Sequence, residues 1–110
     1  MIFTYILIII SCSFELPALK VLNVSSNQLT FVPPDTLSNL SDVRELDLSF
    51  NELPAPPSSA WHNMHSLRRL NLAGNPIQRI MNDSFVGLRR MEELDIQGIE
   101  PEICQVREAF

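Results

Sequence analysis

From residue 19 onward, apolar side chains recur along this chain with a fixed period. Leu19, Leu22, Val24, Asn27 and Leu29 give the pattern L-x-x-L-x-L-x-x-N-x-L. It returns 24 residues later at Val43, Leu46, Leu48, Asn51 and Leu53, and after 24 more at Leu67, Leu70, Leu72, Asn75 and Ile77. Met91, Leu94 and Ile96 open a fourth copy. The second half of each unit keeps the same phase: Val32, Pro56 and Ile80 align, as do Leu37, Trp61 and Phe85, and Leu40, Met64 and Leu88. A fixed period of this length predicts stacked repeats, each burying its apolar face only against its neighbours.

The spacing has a physical reading. The last two leucines of L-x-x-L-x-L are two positions apart, so on a strand both point to one face, and that face is inward. A short strand is therefore predicted in each unit, with polar residues on its outer face. The asparagine follows where the chain turns off the strand. Its side-chain amide both donates and accepts, and can satisfy backbone groups inside the turn.

These residues resemble the leucine-rich repeat family, in its 24-residue class, over residues 19 to about 110. The resemblance implies an α/β solenoid: a horseshoe segment with a short parallel sheet on its concave side and irregular or 3-10 structure on its convex side. The repeats would run 19–42, 43–66, 67–90 and, in part, 91–110, after a lead-in at 14–18. It also implies a stacked ladder of Asn27, Asn51 and Asn75, and a convex spine of Leu37, Trp61 and Phe85. The segment LDLSFNELPAPPSSAWHNMHSLRRLNLAGNPIQRI looks like the arthropod chaoptin group of adhesion glycoproteins, which implies homophilic adhesion through a longer solenoid. Toll-type receptors share the same skeleton. The fourth copy departs from the pattern: Ile99 stands at its asparagine position, the chain ends within the unit, and the cysteine-rich caps usual in extracellular members are not evident. The chain is thus expected to be part of a longer protein.

In this family the concave face is the usual ligand surface. By register its rows are Lys20, Val21, Asn23, Ser25 and Ser26; then Arg44, Glu45, Asp47, Ser49 and Phe50; then Arg68, Arg69, Asn71, Ala73 and Gly74; then Glu92, Glu93, Asp95, Gln97 and Gly98. The candidates for protein binding are Lys20, Asn23, Arg44, Glu45, Asp47, Phe50, Arg68, Arg69, Asn71, Glu92, Glu93 and Asp95. Read across the strands, Lys20, Arg44, Arg68 and Glu92 form one column, and Asn23, Asp47, Asn71 and Asp95 another. Strands about 4.8 Å apart make these columns charge ladders. Arg68 and Arg69 are expected to pair with Glu92 and Glu93. Phe50 is the one large apolar group in these rows chosen as a contact anchor. The alternative is a solvated face of compensating charges that binds nothing.

Ahead of the repeats, Ile2 to Ile10 read IFTYILIII. Nine apolar residues are short of the roughly 20 that a membrane-spanning helix requires. They match the core of a secretory leader, with Ser11 and Ser13 suited to cleavage after Ser13, although no Lys or Arg precedes Ile10. A buried strand is the other reading, since Ile, Tyr and Thr favour strands. Three glycosylation sequons start at Asn23, Asn39 and Asn82, against about one expected by chance. Asn23 falls on the concave row, where a glycan would obstruct binding, so Asn39 and Asn82 are the better acceptors.

Composition narrows the function. The chain has 110 residues, 8 Lys+Arg against 13 Asp+Glu, a net charge of −5 and a mean hydropathy of +0.08. The acidic balance argues against nucleic acid as a partner. With 3 glycines, a Gly-rich phosphate loop has little to be built from, and two cysteines, Cys12 and Cys104, are too few for a four-thiolate zinc site. Cleavage after Ser13 would leave Cys104 without Cys12 as a partner. His62 and His65 lie in the convex segment beside Trp61 and Met64 with no acidic or thiol cluster near in sequence. No nucleophile elbow occurs, and carboxylates on a shallow open face gain little desolvation to raise a pKa. The expectation is a non-enzymatic protein-interaction module without cofactor, metal or small-molecule substrate. Its setting is an extracellular adhesion or receptor protein in the secretory pathway, reaching a membrane only through an anchor outside this chain. The alternatives are an intracellular scaffold or signalling regulator, in which Ile2 to Ile10 would be strand, and a non-functional truncation product.

Overall fold

The computed structural model describes residues 19–33, 37, 40–81 and 83–99. The leader, Cys12, Cys104 and the acceptors Asn39 and Asn82 lie outside the described residues. Four strands follow one another: β1 (Val21–Asn23), β2 (Glu45–Asp47), β3 (Arg69–Asn71) and β4 (Glu93–Asp95), each of three residues. They form one parallel sheet in the order β1-β2-β3-β4. Registers match the 24-residue period: Leu22, Leu46, Leu70 and Leu94 lie side by side.

Strands this short are held by a ladder that runs past their ends. Arg44 N–H and Glu45 N–H both donate to Lys20 O, and Arg68 and Arg69 repeat this on Arg44 O, as do Glu92 and Glu93 on Arg68 O. Beyond the strands, Val24 N–H donates to Asp47 O and Ser26 N–H to Ser49 O. Leu48 and Phe50 do the same to Asn71 O and Ala73 O, and Leu72 and Gly74 to Asp95 O and Gln97 O. Each strand is thus paired over about seven residues, although three have regular strand geometry.

On the far side, the returning segment is tight and irregular. One four-residue helix, α1 (Ser58–Trp61), occurs there among the described residues. Trp61 is fully buried, stacks on Phe85 with ring centroids 6.0 Å apart, and donates Nε1–H to Ser84 O. Leu37 is buried in the preceding unit. Short turns close each segment: Met64 N–H donates to Trp61 O and Leu67 N–H to Met64 O, matching Leu40 to Leu37 and Val43 to Leu40.

Between the sheet and the far side runs one continuous core. It includes Leu46, Leu48 and Leu53 of the second unit, Leu70, Leu72 and Ile77 of the third, and Trp61 and Met64 between them. Leu19, Met91, Leu94, Ile96 and Ile99 pack against its ends half-buried. Interior units cover each other on both sides, which accounts for the difference.

Asn51 joins neighbouring turns. Its Nδ2 donates to Val24 O, Leu48 O and Ser49 O, and its Oδ1 accepts Leu29 N–H. Asn75 repeats this on Leu48 O, Leu72 O, Ala73 O and Leu53 N–H. Asn27 Nδ2 donates to Val24 O and Ser25 O within its own turn. Among the described residues, every buried side-chain N or O atom has a hydrogen-bond partner.

Candidate protein-binding face

The outward side of the sheet is built by strand alternation. Leu22, Leu46 and Leu70 turn inward and are buried, so residues on either side of each face out. This gives a central column, Val21, Glu45, Arg69 and Glu93, and a second column, Asn23, Asp47, Asn71 and Asp95. Together with the edges of the leucines they line an open groove of about 260 Å³. Lys20, Arg44, Arg68 and Glu92 are exposed at the rim where the chain enters the strands. There Arg44, Arg68 and Glu92 border a second hollow of about 220 Å³ with Glu45 and Arg69.

Arg69 organises the central column. Its Nη1 donates to Glu45 Oε1 at 3.0 Å, and its Nε lies 3.5 Å from Glu93 Oε2. One guanidinium therefore spans three strands. The expected pairing of Arg69 with Glu93 is present, and Glu45 is an added partner. The expected partnership of Arg68 with the Glu92 carboxylate does not form. Both border the rim hollow, and the contact between them is Glu92 N–H donating to Arg68 O. These side chains are 42–69% exposed, so the two bridges contribute little to stability and chiefly fix geometry.

The second column has a structural task that the charge-ladder reading overlooks. Each Asn or Asp accepts the backbone N–H two residues on: Asn23 Oδ1 from Ser25, Asp47 from Ser49, Asn71 from Ala73 and Asp95 from Gln97. Asp47 Oδ1 also accepts Ser49 Oγ–H at 2.6 Å. These Asx turns bend the chain off the strand. The period-24 recurrence of Asn or Asp at these positions was the sequence signal for them.

The bend corrects three placements. Alternation carried on from Asp47 and Asn71 puts Ser49 and Ala73 on the open face. Instead the turn folds them under it, and they are 4% and 7% exposed. Phe50 also leaves the groove lining. It sits just past the turn, at the rim, with its ring over Gly74. A Cβ on Gly74 would lie 2.5 Å from Phe50 Cδ1, so the absent side chain makes room for the ring.

Phe50 has φ 55°, and the equivalent residues in the other units share that region: Ser26 at 58°, Gly74 at 71° and Gly98 at 81°. Left-handed backbone is therefore a property of this position in all four units. Glycine meets it without strain, whereas a phenylalanine there is a conformational outlier. The fourth unit keeps the path even though Ile99 replaces the asparagine, and Ile99 N–H donates to Ile96 O.

The two histidines lie apart in their contacts. His62 Nδ1 is 2.9 Å from Ser59 O, and His65 Nδ1 is 2.9 Å from Gly87 O in the next unit. Among the described residues, no three His, Cys, Asp or Glu side chains are grouped to hold a metal ion, and no helix is long and apolar enough to cross a membrane.

Successive short parallel strands, the buried Asn51 and Asn75 linking neighbouring turns, and the Trp61–Phe85 stack behind them define a solenoid whose sheet is its concave face. The chain belongs to the leucine-rich repeat family, whose model matches residues 11–53 and 57–98. Repeats of this family generally mediate protein–protein interaction and are generally not enzymes. Among solved structures it is similar to human 5T4 (Wnt-activated inhibitory factor 1, trophoblast glycoprotein), at 24% identity and a TM-score of 0.73. That likeness covers 90% of this chain and 36% of the other, and it shows the fold. Comparison with curated proteins gives no match.

Proposed function

We propose that this chain is the protein-binding segment of an extracellular adhesion or receptor-type leucine-rich repeat protein, and that it binds through its concave sheet. The observation that supports this most is the sheet itself: an open groove across four strands, with its central side chains held in place by Arg69 rather than shut into a cavity. Such a surface suits another protein, whose contacts gather around a few anchors. Glu45, Arg69 and Glu93 form the centre, and Phe50 is the apolar anchor at the rim. The likeness to the chaoptin group makes homophilic adhesion one form of this reading, through a longer solenoid.

The extracellular setting rests on the leader-like Ile2 to Ile10 and on the sequons at Asn39 and Asn82. Asn23 is a third acceptor, exposed but on the binding face and already turned toward Ser25 N–H. Expression in cultured animal cells tests the setting. Secreted protein is expected to gain mobility on glycosidase treatment, and Asn39→Gln with Asn82→Gln is expected to remove most of that change. Cytosolic retention without a mobility change would favour the intracellular scaffold.

A further inference from the structure

The groove is charged unevenly. Its lining carries four carboxylates, Glu45, Asp47, Glu93 and Asp95, against one guanidinium, Arg69. Arg69 bridges Glu45 and Glu93, which leaves Asp47 and Asp95 without a cationic partner among the described residues. Each accepts its turn hydrogen bonds on Oδ1, while Oδ2 takes none among the described residues. The opposite rim carries Lys20, Arg44 and Arg68 ahead of the first three strands and Glu92 ahead of the fourth, so over the first three strands a cation is steered away from that rim toward the Asp47–Asp95 column.

Spacing adds a second constraint. Asp47 and Asp95 stand on strands two apart in the sheet, with neutral Asn71 between them. At about 4.8 Å per strand the two carboxylates are roughly 10 Å apart, about the rise of one three-residue turn of polyproline II helix, in which positions three apart face the same side. Past the strand ends the Phe50 ring, 63% exposed, sits over Gly74 of the third unit. A guanidinium stacks well on such a surface.

We propose that the concave groove takes a basic segment of a partner protein in polyproline II conformation, crossing the strands with two Lys or Arg residues three positions apart. One charge pairs with Asp47 and the other with Asp95, on either side of neutral Asn71. This rests on the concave-face reading above and adds the chemistry of the partner.

The test uses the full chain and labelled, capped ten-residue peptides, read by fluorescence polarisation at low salt. One peptide carries two arginines three positions apart, a second two adjacent arginines, and a third glutamates at the first peptide's positions. The first is expected to bind best and to weaken as salt rises. Asp47→Asn combined with Asp95→Asn is expected to weaken it about tenfold at unchanged Tm. Asparagine keeps the turn, because Asn23 and Asn71 already form it in the other units. Equal binding of all three peptides, no binding of any, or indifference to the double variant would overturn the proposal. If truncating Glu45, Arg69 and Glu93 still abolishes capture of a protein partner in that case, the concave-face reading stands and the basic-segment proposal alone fails.

Discussion

At the residue scale, two kinds of position separate stability from recognition. Asn51 is 5% exposed and spends its amide on four backbone groups in two turns. Asn51→Asp replaces the donor by a charged acceptor facing three carbonyl oxygens. A loss of about 3–5 kcal/mol in urea unfolding is expected. Arg44→Ala, at an exposed rim, is expected to change stability by less than about 0.5 kcal/mol. Equal losses would contradict the ladder. Phe50 is the reverse case. Its left-handed backbone favours glycine, and its exposed ring covers Gly74. Phe50→Gly is therefore expected to keep stability within about 1 kcal/mol of the parent chain while weakening partner binding. A large fall in Tm would make the ring a structural element instead of an anchor.

At the element scale, the strands and the far-side segment depend on each other through Trp61. Its indole is buried, stacked on Phe85 and bonded to Ser84 O across the unit boundary. Trp61→Phe keeps most of the volume and strands one buried carbonyl. About 1–3 kcal/mol should be lost in chemical denaturation. Trp61→Ala should lose about 3–5 kcal/mol. Gly87 supports the same segment: at φ 93° a Cβ would lie 2.4 Å from His62 O, a backbone atom that cannot swing aside. Gly87→Ala is expected to lower the Tm more than Gly98→Ala, whose Cβ would meet Gly74 N at 3.9 Å.

Strand positions were legible in the sequence because burial there follows a simple period: Leu22, Leu46 and Leu70 had to share one face. The turns were not. Two-residue alternation holds only while the backbone stays extended, and Asp47 ends that by capturing Ser49 N–H. Ser49 and Ala73 therefore go under the sheet, and Phe50 goes to the rim. The structural work of Asn23, Asp47, Asn71 and Asp95 was visible only as a recurring Asn or Asp, which equally reads as surface polarity. The Glu45–Arg69–Glu93 bridge was half legible: the charges sat opposite in register, but their choice of partner depends on side-chain reach across two strand gaps.

At the scale of the whole molecule, the described residues act as one stack, 41 × 30 × 19 Å in extent. Each unit leans on the next through the sheet, the asparagines and the spine. The groove lining itself carries Glu45, Asp47, Glu93 and Asp95 against Arg69. That arrangement leaves the outward side of the sheet open for the proposed partner. The most direct measurement is capture of arrayed extracellular proteins by the multimerised chain, with any partner compared across two variants. One replaces Glu45, Arg69 and Glu93 together by alanine, and the other is Val86→Ala on the far side, where the side chain is 60% exposed. The sheet variant is expected to stay folded and to lose the partner at least about tenfold, because exposed bridges contribute about 0–1 kcal/mol each to folding. The far-side variant should bind as the parent chain does. Undiminished capture by the folded sheet variant would contradict binding through the concave face.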